Sequence, residues 1–127
     1  MHCKRKCALL VTGKPVETWL FHSQEKRWER VPTRPAPEGC YRAGITYDSA
    51  NDVAILGGWK TNEPSTEPDV TPGVWIFDPA KMDWHFEKPA TGPRGRFEYF
   101  AYDPEYNVVV TAGNGHGTWV YRYRKPG

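Results

Sequence analysis

Apolar positions along the chain fall into short runs with a period of two or with no period, and none sustains the 3.6-residue spacing of an amphipathic helix. Val53-Ala54-Ile55-Leu56 and Val108-Val109-Val110-Thr111 are brief β-branched or aliphatic runs soon closed by glycine, the pattern of strands covered on both faces. Elsewhere the aromatics alternate. Trp75 and Phe77 share one side of a strand, and Trp119, Tyr121 and Tyr123 share a side opposite Val120, Arg122 and Arg124, which predicts half-buried antiparallel strands. Residues 48–52, 78–83 and 103–107 supply the Asp, Asn, Ser and Pro that close hairpins, and prolines interrupt most helical candidates. The predicted fold class is therefore all-β.

The chain also repeats itself. Thr18-Trp19-Leu20-Phe21-His22, followed by Trp28, recurs as Val74-Trp75-Ile76-Phe77-Asp78, followed by Trp84, each tryptophan 56 residues on. A third copy starts at Thr118-Trp119-Val120-Tyr121. Between them, the segment from Tyr47-Asp48 through Val53-Ala54-Ile55-Leu56-Gly57-Gly58 superposes on Tyr102-Asp103 through Val108-Val109-Val110-Thr111-Ala112-Gly113 with a shift of 55. Two independent anchors at nearly one period make each unit a supersecondary repeat that buries its faces against its neighbours.

A unit of four short antiparallel strands over ~50 residues, with Gly57-Gly58 after its second strand and Trp75 and Trp84 in its third and fourth, resembles the kelch repeat of β-propellers. The resemblance covers nearly the whole chain and implies one partial propeller over residues 1–127. Blade B would run over 40–89, with strands near 42–47, 53–57, 74–77 and 84–87. Blade A, 7–31, would lack its inner strand, starting at 8–12 and ending at 29–31. Blade C, 94–124, would lack its outer strand, with strands near 96–102, 108–112 and 118–123. Residues 59–73 form a Pro-rich insertion, long for a hairpin loop. Thr12-Gly13 and Ala112-Gly113 stand where the pattern has a double glycine.

A ring needs at least four blades, or ~200 residues. The missing blades would then come from a longer chain, the preferred expectation, or from homo-oligomerisation, because an open arc leaves faces and strand edges bare.

Composition narrows the function classes. The chain is 39% hydrophobic and 25% charged, with 17 Lys+Arg against 15 Asp+Glu, and its basic residues are scattered. That gives no electrostatic footprint for nucleic acid or anionic lipid. The only run resembling a targeting segment, Lys4-Arg5-Lys6 before residues 8–11, is too short for a signal peptide, and no transmembrane segment is present, so localisation stays open. Cys3, Cys7 and Cys40 are too few for a disulfide framework. Cys3 and Cys7 beside His2 lack a fourth zinc ligand and are expected to be reduced thiols at a frayed terminus.

Reaction machinery is scarce. The sequence has no P-loop, no dinucleotide fingerprint, no His-Glu-x-x-His and no Gly-x-Ser-x-Gly elbow. Asp48, Asp78 and Asp103 each follow an aromatic residue at a strand end and are expected to form turns rather than to act as acids or bases. Five tryptophans sit at repeat positions and are expected to pack within and between blades, whereas Trp59 opens the long insertion and is a candidate ligand contact. His116 lies in Gly113-Asn114-Gly115-His116-Gly117, either an ordinary turn or a ligand-contacting loop.

Strand direction groups these candidates. The start of a blade's first strand and the end of its second lie on one face of a propeller, so Arg42, Trp59, Arg94, Arg96, Asn114 and His116 are expected to converge there as a ligand-binding set. The structural alternative is that the arginines cover aromatic rims or cap strand ends. The resulting expectation is a non-catalytic kelch-like segment that binds a protein or a carbohydrate, without nucleic acid, membrane, metal or cofactor. The alternative is a fragment of a kelch-propeller enzyme resembling the galactose oxidase family, whose copper is held by tyrosines and histidines. Tyr41, Tyr99 and His116 match its residue types but not its spacing, so no copper ligand is carried over.

Overall fold

A computed structural model of the 127-residue chain describes residues 2–3, 7–13, 16–33, 36–37, 44–59, 72–87, 99–112 and 117–123. These residues form three antiparallel sheets and no helix. The first sheet contains β1 (His2–Cys3), β2 (Cys7–Thr12), β3 (Glu17–His22) and β4 (Arg27–Val31). β5 (Ile45–Asp48), β6 (Val53–Trp59), β7 (Pro72–Asp78) and β8 (Asp83–Glu87) make the second, and β9 (Tyr99–Asp103), β10 (Val108–Ala112) and β11 (Thr118–Tyr121) the third. In each sheet the strands lie side by side in chain order, joined as a meander.

The turns explain the meander. Four of them end on a residue in the left-handed region, Lys26, Asp52, Met82 and Asn107, with φ of 55°, 55°, 52° and 54°. Asp and Asn tolerate that conformation better than Lys or Met, and their side chains are used: Tyr47 O–H donates to Asp52 Oδ1 at 2.5 Å and Tyr102 O–H to Asn107 Oδ1 at 2.8 Å. As expected from sequence, the three strand-ending aspartates accept from turn amides. Asp48 takes Asn51 N–H at 3.0 Å, Asp78 takes Ala80 N–H at 2.9 Å, and Asp103 takes Glu105 N–H at 2.9 Å. At the opposite end of the second sheet, Gly73 is required by close approach, since a Cβ there would stand 2.5 Å from the Glu87 carbonyl oxygen.

The sheets stack face to face through two apolar layers. In the first, Cys7 and Leu20 meet Ala54, Leu56, Trp75, Phe77 and Trp84. In the second, Val53, Ile55, Val74 and Ile76 meet Val109 and Tyr123, flanked by Phe100, Tyr102 and Tyr121. The same two sides are used at both junctions. Each sheet turns a forward face, Cys7 and Leu20 or their equivalents Val53 and Ile76, toward a following sheet, and each following sheet answers with a backward face, Ala54 and Phe77 or Val109 and Tyr121. One polar bond crosses the first layer: Trp84 Nε1–H donates to Thr18 Oγ1 at 2.9 Å, with both residues buried. At the second junction β5 also lies beside β9.

Several expectations are corrected. A two-residue β1 pairs with β2, with Cys3 opposite Cys7, on the side of β2 where the sequence pattern placed no strand. Cys7 is buried and disulfide-bonded rather than a free thiol. It is not in a frayed terminus, because it begins β2 and is held in register opposite His22. The strand over 74–77 was expected to be half-buried, but Val74, Trp75, Ile76 and Phe77 are all buried, since the second sheet is covered on both sides. The run 108–111 deviates the other way: Val109 and Thr111 are buried while Val108 and Val110 are only partly covered, because no described sheet lies beyond the third. Tyr123 was placed in the last strand but follows it, and its ring still reaches the second layer. Among the tryptophans at repeat positions, Trp75 and Trp84 pack as expected, whereas Trp28 and Trp119 are exposed.

Candidate functional site

Antiparallel pairing puts the ends of β2, β6 and β10 on one rim with the starts of β3, β7 and β11. The register sets Thr12 opposite Glu17, Trp59 opposite Pro72, and Ala112 opposite both Tyr99 and Thr118. This is the rim on which the sequence places its candidate binding residues. Arg42, Arg94, Arg96, Asn114 and His116 lie outside the described residues. Trp59 is described in its backbone alone. It is the last residue of β6 rather than a loop residue, because pairing continues to Pro72 and shortens the insertion at both ends.

The described part of this rim carries charge and an aromatic ring. Glu17 accepts Trp19 Nε1–H at 3.3 Å and pairs with Arg30 at 3.3 Å, holding one carboxylate between an indole and a guanidinium. Tyr99, at the start of β9, is exposed. At the end of β8, Glu87 accepts Tyr121 O–H at 2.6 Å and contacts His85 Nε2 at 3.2 Å. Among the described residues no group of three His, Cys, Asp or Glu side chains is placed to hold a metal ion.

Burial raises the pKa of Tyr121, and its hydrogen bond to the Glu87 carboxylate adds to the shift. Tyr123 is raised by burial and then by the Glu87 charge, and Tyr102 by burial and then by the Asp48 charge. All three phenols resist ionisation in the folded state, so the unfolded chain loses those protons first. The stability they contribute is complete below pH about 10 and is lost as pH rises beyond it. A denaturant midpoint that is flat to about pH 9 and then falls steeply is the expected result, with Tyr121→Phe costing about 1 kcal/mol at neutral pH and flattening the alkaline fall. A midpoint in Tyr121→Phe that falls as steeply as in the parent overturns the assignment.

The opposite rim is built from the turns, and most of its carboxylates are engaged by turn amides or a tyrosine. An open groove of about 550 Å³ between the first two sheets joins the two rims, lined by Glu29, Val31 and Pro32 at the end of β4 and by Lys81, Met82 and Asp83 of the turn before β8. Sequence reasoning missed it, because Lys81 and Asp83 look like ordinary turn residues and their proximity to β4 arises only from the stacking. Glu29 is already paired with His22 at 2.8 Å, and Asp83 Oδ1 accepts Trp84 N–H at 3.1 Å. The groove thus offers one ammonium, two engaged carboxylates and an apolar floor, which suits contact with an extended polar segment rather than bond-making chemistry.

No family model matches the chain, and no curated protein or solved structure matches it.

Proposed function

We propose that the chain is part of a kelch-type β-propeller acting as a non-catalytic module that binds a protein or a glycan. Its proposed binding face is the rim to which the sequence pattern assigns Arg42, Trp59, Arg94, Arg96, Asn114 and His116. The observation that supports the proposal is that two four-strand sheets and a three-strand sheet, successive in the chain, stack through one recurring pair of faces, with β5 beside β9 at the second junction. Side chains at such a rim come from several loops held by a rigid scaffold, the arrangement that recognises shape without a reaction centre.

The test is the combined substitution Arg42→Ala, Trp59→Ala and Arg96→Ala, screened with the parent against arrays of glycans and immobilised proteins. Capture by the parent that is lost in the variant, with unchanged far-UV dichroism, is expected. Capture that survives the three substitutions overturns the rim as the binding face.

A further inference from the structure

Two sheet faces in the stack have no described sheet against them, and the repeat identifies what fits them. The third sheet has a forward face with no described sheet against it, on which Thr118 and Val120 occupy the positions that Val74 and Ile76 hold in the second sheet. Ile76 is wholly buried and Val120 is 65% exposed. The first sheet has a backward face with no described sheet against it, on which Leu10, Trp19, Phe21 and Trp28 occupy the positions of Leu56, Trp75, Phe77 and Trp84. Trp84 is 2% exposed and Trp28 53%. One chain therefore carries both halves of the junction it uses twice internally, each on an opposite side of the stack.

The polar bond in the first junction makes the match specific. Trp84 donates to Thr18 across that layer. The second junction does not repeat the pair, because Val74 stands at the threonine position and the third sheet has no described fourth strand to supply the tryptophan. The pair returns only on the faces with no described sheet against them, where Thr118 matches Thr18 and Trp28 matches Trp84. Both Thr118 and Trp28 are exposed.

We propose that the forward face of the third sheet docks on the backward face of the first sheet of a second copy of this chain, with Trp28 Nε1–H of one copy donating to Thr118 of the other. The contact is heterologous, and because propeller-like rings hold about four to eight sheets, two copies, and not three, would close through two identical junctions into a ring of six sheets. This rests on the stack continuing as proposed above, and not on the binding role of the rim.

Sedimentation equilibrium of the full chain tests it. The expected mass is twice the 14.5 kDa of one chain. Trp28→Lys and Val120→Lys, on strands whose side chains are exposed at these positions, each remove a component of both junctions and are expected to give monomers with the parent's far-UV dichroism. Mixed in equal amounts they regain one intact junction, and the dimer mass returns. Thr118→Val weakens the parent dimer about a hundredfold, roughly tenfold for each of the two junctions, by leaving both indole N–H groups without their acceptor. A parent that stays monomeric through the concentration series overturns the proposal. So does a Val120→Lys protein that dimerises as the parent does, or a mixture of the two lysine variants that remains monomeric. A dimer that captures nothing removes the binding role alone, and a monomer that captures ligand removes the assembly alone.

Discussion

Trp84→Ala is expected to lower the unfolding free energy by about 4 kcal/mol, while Trp28→Ala, its repeat equivalent, costs about 1 kcal/mol in dilute solution. The two residues have the same local setting. Each stands second in its sheet's fourth strand, and each packs its ring on the aromatic directly opposite, Trp84 on Phe77 at 5.2 Å and Trp28 on Phe21 at 5.0 Å. What differs is the layer beyond. Trp84 is buried against Cys7, Leu20 and Val31 of the first sheet and donates to Thr18, whereas Trp28 has no described sheet in front of it. Truncating Trp84 removes its transfer free energy, leaves a large void and strips the buried Thr18 hydroxyl of its donor.

Trp84→Phe separates these effects. It keeps the ring contact with Phe77 and loses the N–H, so a cost of about 1 to 2 kcal/mol is expected. Chemical denaturation with tryptophan fluorescence and far-UV dichroism reads all three variants. For a domain whose total stability is about 5 to 15 kcal/mol, the alanine variant at position 84 should be partly unfolded without denaturant if the parent lies near the lower limit. Equal losses for Trp84→Ala and Trp28→Ala would mean that sheet stacking contributes nothing to the difference.

The sequence carried most of the strand pattern and little of the layering. β10 falls at 108–112 in both, and the third strands are marked by Trp19, Trp75 and Trp119 because alternation and turn chemistry are local properties. Burial is not local. Trp28 and Trp84 have the same neighbours in sequence pattern, and only the position of their sheets in the stack makes one a core residue and the other a surface residue. The same holds for β7, whose Val74 and Ile76 looked like the solvent side of a half-buried strand until the third sheet covered them. β1 was missed because two residues carry no periodicity. The groove beside Lys81 was missed because its walls belong to different sheets. Of the candidate site, strand order was legible, and with it the shared rim. The cross-sheet bond from Trp84 to Thr18 was not, since the two residues stand 66 positions apart and nothing in either segment names the other.

A second comparison of equivalents tests the layering itself. Ile76→Ala is expected to cost about 3 kcal/mol and Val120→Ala less than about 0.5 kcal/mol, measured at concentrations where the chain is monomeric. Ile76 is fully buried between Val53, Ile55 and Val74 of its own sheet and the Val109 and Tyr123 side chains of the third. Losing its three side-chain carbons opens a cavity in a layer closed from both sides. Val120 lies at the same point of the third strand, in register with Val110, but faces solvent. The cost should therefore follow coverage and not residue type. At higher concentration the two values should diverge from this ratio: the Val120 cost grows as a second copy covers it, while the Ile76 cost stays fixed because its layer lies within one chain. A Val120→Ala cost that equals the Ile76→Ala cost at every dilution would place a covering layer over β11 within the single chain, and would leave no forward face for another copy to meet.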